Sequence, residues 1–564
     1  MPADLLQHAD RVTSDIDRAH AIRAAILGAD IHDVILLAGK GHESYQEIAG
    51  VRQPFSDVDE ARKVLAGYPR QETRILGFMS LADATSAMQG VLHGASGEAA
   101  AAPRIAIHGV STDSRSVAAS DLFIALVGDT FDAHDYVAAV AQAGAAAVVV
   151  QRPMDDVGVP QIVVSDTRVA LARLAAAWRA RFAIPLIGVT GSNGKTTTKE
   201  MIASILAAWH GEPARLATRG NLNNEIGVPL TLLRLTPEHQ SAVVELGMNH
   251  PGEIAQLAHI AAPTVGLVNN AQREHQEFMH TVEAVARENG AVIEHLPPDG
   301  VAVFPSDDPH TPIWMALAGA RPCLRFGLDG TADVAADVTA TGIDMQAFDT
   351  RFTLVTPAGS APVVLAAAGL HNVRNALAAA ACALAIGTPL AKVVDGLQAF
   401  APVKGRMQRH ALPSGGLLID DTYNANPDSA RAAIDVLASL PSPRVLVLGD
   451  MGEVGNDGPA MHREVGEYAR ACGIDAVFAL GDATRDTVAA FNDGHGNDAG
   501  NDNATRRGVH ADRVEDLAPA IRAVRPASVL VKGSRFMRME RVVAALLAGN
   551  DPSNDFSNGT RNAA

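Results

Sequence analysis

An α/β fold with mainly parallel sheets is what this sequence predicts, and three observations carry the prediction. Apolar runs of strand length alternate with Ala/Leu-rich helical stretches almost throughout, as in AAAVVV at 145–150, PLIGVTG at 185–191, SAVVELG at 241–247, PRVLVLGD at 443–450 and ASVLVKG at 527–533. A glycine-rich turn, GSNGKTT at 191–197, stands between one of these strands and the helical stretch TKEMIASILAAW. The length, 564 residues, is a prior of three or four domains.

Punctuation divides the chain in order. A first α/β segment runs to residue 66, and a polar connector beginning GYPRQETR fills 67–78. From Met79 a fresh amphipathic stretch opens a domain to residue 182, a P-loop-like domain follows over 183–400, and a third α/β domain over 401–548. The tail 549–564 and the insert FNDGHGNDAGNDNATRRG at 491–508 are rich in Asn, Gly, Asp and Ser and are expected to be disordered. There is also an internal echo: DVILLAGKGHE at 33–43 and ASVLVKGSRF at 527–536 each read as a buried strand ending in a Lys-Gly turn.

Composition narrows the function. Hydrophobic residues make up 48%, charged residues 19% and aromatics 4%, which describes an alanine-rich globular protein and disfavours stacking on nucleic-acid bases. With 46 Lys+Arg against 63 Asp+Glu the formal net charge is −17, which repels polyanions, and no basic patch offsets it. The first thirty residues lack the apolar core of a signal peptide, and no run of 18 apolar residues occurs. Cys323, Cys382 and Cys472 are scattered and odd in number. They suit a reducing compartment better than a disulfide framework, so a cytoplasmic location is expected.

The loop Gly191-Ser192-Asn193-Gly194-Lys195-Thr196-Thr197 carries the strongest chemical signal. Its glycines let backbone N–H groups close around phosphate oxygens, Lys195 can reach the terminal phosphates, and a Thr hydroxyl can ligate Mg²⁺. Val189 stands where the strict Walker pattern has glycine, so the loop is a variant. Glu245 ends the strand SAVVELG, where a carboxylate could hold the nucleotide's Mg²⁺. His275 follows the strand PTVGLVNN; alone, such a histidine is more often structural.

Taken together these residues resemble the Mur ligases, the ATP-dependent amide-forming enzymes of peptidoglycan synthesis. The resemblance covers residues 79 to about 548 and rests on the order of many motifs: STDSR at 111–115, DLFIALVGDTFDAHDY at 121–136, GSNGKTT, TRGNLNNEIGVPLTLL at 218–233, ELGMN at 245–249, HNVRNALAA at 371–379, GRMQ at 405–408, DDTYNANPDS at 420–429, LGDMGEVG at 448–455 and VKGSRFMRME at 531–540. It implies a UDP-sugar-binding domain, a central ATPase and a Rossmann-like C-terminal domain. The branch resembled most closely joins D-alanyl-D-alanine to UDP-N-acetylmuramoyl-tripeptide through an acyl phosphate, with ATP and Mg²⁺ as cofactors.

By that resemblance Lys195, Glu245, His275 and Lys532 are catalytic, and Thr196, Glu245 and His275 hold the metal. ATP would meet the loop residues Gly191, Ser192, Asn193, Gly194, Lys195, Thr196 and Thr197 together with Asn270, Asn375, Arg406 and Asp421. Substrate would meet Ser111, Asp113, Ser114 and Arg115 at its UDP end. Asn221, Asn223, Asn224, Asn424, Asn426, Ser534 and Arg535 would serve the rest. Physical chemistry is compatible with each role, since the STDSR turn combines donors, an acceptor and a cation, and Lys532 and Arg535 flank a glycine at a strand end.

One departure stands out. Many family members place a carbamylated lysine, which helps bind a second Mg²⁺, where this chain has Asn289. Asparagine forms no carbamate, so the second metal would be held differently, through Glu288 or water, or one ion suffices. Activity is then expected to be independent of bicarbonate and little affected by Asn289→Ala. The first 66 residues resemble the C-terminal end of the sister ligase that adds the third amino acid of the stem peptide, through VILLAGKGHESYQ at 34–46 and RQPFSD at 52–57. On that reading Lys40 and Lys532 are equivalent turns, and the segment is a partial domain without an ATP site. Two alternatives stay open: another ligase of the family, or a catalytically weak fusion that scaffolds other cytoplasmic cell-wall enzymes.

Overall fold

The computed structural model describes residues 18–19, 22, 45–48, 51–58, 60–61, 79–93, 105–128, 130–328, 334–346, 349–493 and 507–548. The chain divides into two compact units, 1–76 and 77–564. In the first, Tyr45–Ile48 and Val51–Pro54 pair as an antiparallel hairpin. Arg18 forks onto buried Asp57 at 2.7 and 2.5 Å. The expected Lys40 turn, the 67–78 connector and the 549–564 tail lie outside the described residues.

The second unit begins with a five-stranded sheet in the order Val91–His93, Gln161–Val163, Ala147–Val150, Asp121–Ile124, Gly109–Ser111. Only its first pair is antiparallel. Its helix Thr167–Arg179 starts at Asp166, whose carboxylate accepts the N–H groups of Arg168 and Val169. The helix ends at Arg179, whose buried guanidinium donates to the carbonyls of Ala261, Phe182, Ile184 and Ala262. The bonds to Ala261 and Ala262 tie the first sheet's last helix to the end of helix Glu253–Ala261, and all four satisfy a cation that burial would otherwise penalise.

Next comes a six-stranded parallel sheet, ordered Arg215–Ala217, Ser241–Glu245, Leu186–Thr190, Val265–Val268, Val301–Pro305, Cys323–Phe326. Leu186–Thr190, Ser241–Glu245 and Val265–Val268 are buried at every residue, which is why their interiors are apolar without alternation and polar side chains stand only at their ends. Helix Lys195–His210 packs on helices Leu370–Ala385 and Leu390–Ala399. The approach is close because Gly396 has no side chain: a Cβ there would sit 2.3 Å from the Ile205 Cα.

A three-stranded antiparallel sheet, Thr339–Met345, Thr350–Thr356 and Gly359–Leu365, adds to the same core through Ala340, Phe352, Leu354, Val363 and Leu365. Its middle strand, TRFTLVT, buries every second residue. This sheet is antiparallel beside three that are mainly parallel, as expected.

The last sheet is ordered Gln408–Ala411, Leu417–Asp421, Ser528–Lys532, Arg444–Gly449, Ala476–Leu480, Arg507–Ala511, parallel except at its first pair. Its register sets Asp421 beside Lys532. The expectation of disorder across 491–508 is corrected at both ends. Phe491 is buried in helix Thr484–Asn492, Arg507 and Gly508 open a strand, and the Asn492 amide closes the neck by bonding both the N–H and the carbonyl of Gly508. Among the described residues no helix is long and apolar enough to cross a membrane.

Candidate active site

The C-terminal ends of parallel strands are where an open α/β sheet gathers its ligand-binding loops. Here the ends of Leu186–Thr190, Ser241–Glu245, Val265–Val268 and Val301–Pro305 meet one cleft of about 1220 Å³. Asp421 and Lys532 of the last sheet contribute to its lining.

The glycine-rich loop is held by side chains behind it. Asn289 Oδ1 accepts the Gly191 N–H at 2.9 Å, and Asn270 accepts the Ser192 N–H on its carbonyl and the Asn193 N–H on Oδ1. Asn269 and Asn270 each donate to the Asn193 carbonyl. Gly194 sits at φ +80°, and a Cβ there would meet Asn375 Oδ1 at 2.4 Å. Thr198 N–H makes a helical bond to the Gly194 carbonyl, so the first N–H groups of helix Lys195–His210 lie before that bond, the usual anion-binding end of a helix.

Lys195 Nζ donates to the carbonyls of Gly191 and Ser192 and to Glu274 Oε2 at 3.1 Å. Glu274 is 7% exposed, and its Oε1 is buried without a partner. Glu245 Oε1 accepts from Thr196 Oγ1 at 3.1 Å and Asn223 Nδ2 at 2.9 Å, while its Oε2 is also buried without a partner. A buried carboxylate oxygen left open beside a P-loop threonine is chemically suited to a cation. His275, at φ +47°, places Nδ1 2.7 Å from Glu453 Oε2, and this contact holds the Glu453 carboxyl below its ordinary range.

On the other wall Lys532 Nζ bonds Asp421 Oδ2 at 2.5 Å and the Asn424 carbonyl at 2.9 Å. Asp420 is turned away and accepts from Thr422. The Arg406 guanidinium lies 4.0 Å from the Tyr423 ring centroid, with its Nε buried and unpartnered. Arg535 lines the cleft and pairs with Glu540 at 3.3 Å.

The cleft gathers most of the expected residues but gives several of them different work. Asn424 bonds the next N–H in its own turn, and Ser534 Oγ bridges the Gly452 N–H and the Ala425 carbonyl. Asn224 accepts N–H groups at the start of helix Gly227–Leu232. Asn426 caps helix Pro427–Ala438 in a reciprocal capping box with Ser429 and bonds Asn193 Oδ1 at 3.0 Å. Asn223 anchors Glu245 rather than standing free, and Asn221 lines the wall beside it.

The turn Ser111–Arg115 does not join the cleft. It is closed locally, with Arg115 forked on Asp113, a bond that lowers the Asp113 carboxyl to about 2. Gln272, Arg273 and Glu274 were not singled out from sequence, although they immediately precede His275. Glu288 is corrected as a stand-in metal ligand: its two oxygens accept the N–H groups of Gly252 and Ile254 at the start of helix Glu253–Ala261.

Asn289 is also more than a blank at the lysine position. Its alanine variant would leave a buried N–H unmet, at about 1–3 kcal/mol. The expected cost of Asn289→Ala therefore rises to roughly a tenfold increase in the KM for ATP with little change in kcat, and bicarbonate removal should have no effect. Steady-state kinetics in CO₂-free buffer check both; bicarbonate dependence would mean that another lysine forms the carbamate.

Comparison with known proteins agrees with this geometry. Residues 106–179 match the Mur ligase family catalytic domain, 189–383 the Mur ligase middle domain, and 405–535 the Mur ligase glutamate ligase domain. The chain is 40% identical to the UDP-N-acetylmuramoyl-tripeptide–D-alanyl-D-alanine ligase of Escherichia coli K12, over 83% of this chain and 98% of that one. It is 35% identical to the enzyme of the same name from Mycobacterium tuberculosis H37Rv, over 78% and 92%. Among solved structures, a MurF from Acinetobacter baumannii aligns with a TM-score of 0.74 at 38% identity, covering 82% of this chain and 97% of that one. The MurF ligase of Thermotoga maritima in complex with ADP aligns at 0.67 and 26% identity, over 78% and 96%. With these three domains in order along the chain and the middle and C-terminal ones lining the cleft, the chain belongs to the Mur ligase family.

Proposed function

We propose that the protein joins D-alanyl-D-alanine to UDP-N-acetylmuramoyl-tripeptide at the expense of ATP, giving ADP, phosphate and UDP-N-acetylmuramoyl-pentapeptide. The observation that carries the reading is the single cleft in which the P-loop cluster Lys195–Thr196–Glu245 and the Asp421–Lys532 pair share the lining. The curated relatives named for this reaction match nearly their whole length.

In the proposed mechanism the tripeptide's free carboxylate attacks the γ-phosphorus of ATP, ADP leaves, and an acyl phosphate forms. The loop N–H groups and Lys195 oppose the negative charge on the transferring phosphoryl group. The dipeptide amine, having lost a proton, attacks the acyl carbon, and the tetrahedral intermediate expels phosphate. Lys532 stands at a strand end suited to the carboxylate or the departing phosphate, with Asp421 fixing its direction; Arg406 would meet the nucleotide, whereas Asn375, bonded to Asn269 and Asn372, would serve it from behind the loop. The STDSR turn is assigned to the UDP end of the substrate, apart from the reacting atoms.

Thr196 and Glu245 would hold Mg²⁺, with His275 as a further ligand. The ion would supply charge neutralisation for the phosphates. Among the described residues no three His, Cys, Asp or Glu side chains form a metal cluster by themselves; phosphate oxygens of the nucleotide would share in holding the ion. A cytoplasmic location and association with other cell-wall enzymes remain part of the proposal.

The test is phosphate release with UDP-N-acetylmuramoyl-tripeptide, ATP and Mg²⁺. D-alanyl-D-alanine should stimulate it strongly over single amino acids or no acceptor. Stimulation by a single amino acid and not by the dipeptide would replace this reading with that of a sister ligase, and no stimulation by either would favour the scaffold. A chain beginning at Met79 keeps every motif from STDSR to VKGSR and should keep its kinetic constants within about threefold. A hundredfold fall at unchanged melting behaviour would place the first segment in the active site.

A further inference from the structure

Residues 270–275 face two ways at once. Toward the P-loop, the Gln272 N–H donates to Ser192 Oγ at 2.8 Å, Gln272 Oε1 accepts from Asn193 Nδ2 at 2.6 Å, and Glu274 takes Lys195. Between those two residues, Arg273 reaches the C-terminal domain. Its backbone N–H donates to Asp428 Oδ2 at 2.9 Å, and Nη2 to Asp428 Oδ1 at 2.6 Å. The same guanidinium donates from Nη1 and Nη2 to the two oxygens of Glu464 at 2.6 and 2.9 Å. Asp428 lies in the first turn of helix Pro427–Ala438 and Glu464 in helix Gly458–Ala471. Glu464 also takes Arg431 at 3.0 Å, whose guanidinium lies 4.4 Å from the Tyr468 ring centroid.

A single exposed ion pair contributes little to stability. This one differs in geometry: a planar fork is filled on two edges by carboxylates fixed on two helices, with the Arg273 side chain only 25% exposed. Sequence separations of 155 and 191 residues join elements that have no covalent reason to keep register.

We propose that Arg273 is a positioning residue that clasps the C-terminal domain over the nucleotide loop, so that Lys532 and Asp421 stand opposite Lys195 when phosphoryl transfer occurs. The proposal rests on the ligase reading above and adds to it the link that joins the two halves of the cleft. Nucleotide phosphates that draw Lys195 from Glu274 act on the residue next to the clasp, so loop occupancy and domain closure share one segment.

The test uses the full chain with Arg273→Ala and Arg273→Lys. It reads ADP affinity, steady-state kinetics, and the separation of a dye pair on helices Leu390–Ala399 and Glu540–Leu547. Arg273→Ala should lengthen the dye separation and lower kcat about tenfold or more, with a higher KM for the dipeptide, while ADP affinity stays within about threefold. Arg273→Lys should fall between, because an ammonium cannot fork onto two carboxylates. The double variant Asp428→Asn/Glu464→Gln should reproduce Arg273→Ala. Unchanged dye separation with kcat within twofold overturns the clasp, and so does a collapse of ADP binding, which would place the effect in the P-loop itself. If the wild-type chain forms no amide bond, the ligase reading fails, while dye separation and ADP binding still decide the clasp.

Discussion

Lys195→Ala is expected to lower turnover by about a thousandfold or more, because removing a charge aimed at the transferring phosphoryl group forfeits stabilisation that the transition state needs most. The structure adds a second effect. Lys195 is the partner of Glu274, a carboxylate that is 7% exposed and whose other oxygen already lacks a partner. The alanine variant leaves a buried charge unpaired, so it should also be less stable by about 1–3 kcal/mol. Adding Glu274→Gln to Lys195→Ala should restore much of the melting temperature and none of the turnover. Phosphate release near the wild-type rate from a folded Lys195→Ala protein would remove the ATP-site assignment.

Glu245→Ala is the other large effect. Glu245 orients Thr196 and Asn223 through Oε1 and leaves Oε2 open in a buried position. Loss of the carboxylate should reduce kcat by roughly a hundredfold to a thousandfold, the scale of removing one preorganised electrostatic group. Metal dependence distinguishes a ligand from a scaffold residue. In Glu245→Gln, where size and one acceptor are kept, the Mg²⁺ concentration for half-maximal rate should rise at least tenfold. Titration of activity and of Mn²⁺ binding in the presence of ADP reads this, and a wild-type metal curve would assign Glu245 to fold alone.

The strands and the P-loop were legible because each is written locally. PLIGV, AVV and VGLV are short apolar runs without alternation, and GSNGKTT needs its glycines and lysine within one turn. The pairing of Asp421 with Lys532 follows from strand register once the sheet exists, since both end adjacent parallel strands. The antiparallel sheet 339–365 was missed although TRFTLVT buries alternate residues and Pro357 and Gly359 mark the turn after it, because strands on either side of the P-loop domain drew the reading to unbroken apolar runs rather than to alternation. The clasp of Arg273 was invisible for a different reason: its partners lie 155 and 191 residues away, and an arginine in a polar loop has no periodic signature. Side chains of one type also divided their roles unpredictably. Asn426 caps a helix, Asn270 and Asn289 brace the loop and Asn223 steadies a carboxylate, since an amide with both donor and acceptor suits any of these tasks.

Asn375, which closes on Gly194 and accepts from Asn269 at 3.0 Å, gives the nucleotide loop a timetable during synthesis. The loop leaves the ribosome long before the residue that backs it. At about 5–20 residues per second, the 180 residues from Lys195 to Asn375 take roughly ten to forty seconds to make. For that interval the chain carries a complete phosphate-binding sequence with an incomplete wall behind it, and ADP is expected to stabilise the growing domain by mass action only once that wall is in place. Chains stalled before residue 370 should fail to retain ADP, whereas chains stalled with residues 370–400 clear of the exit tunnel should hold it. ATP in the cell would then act as a late inspector of folding, rewarding the domain only after helix Leu370–Ala385 has docked.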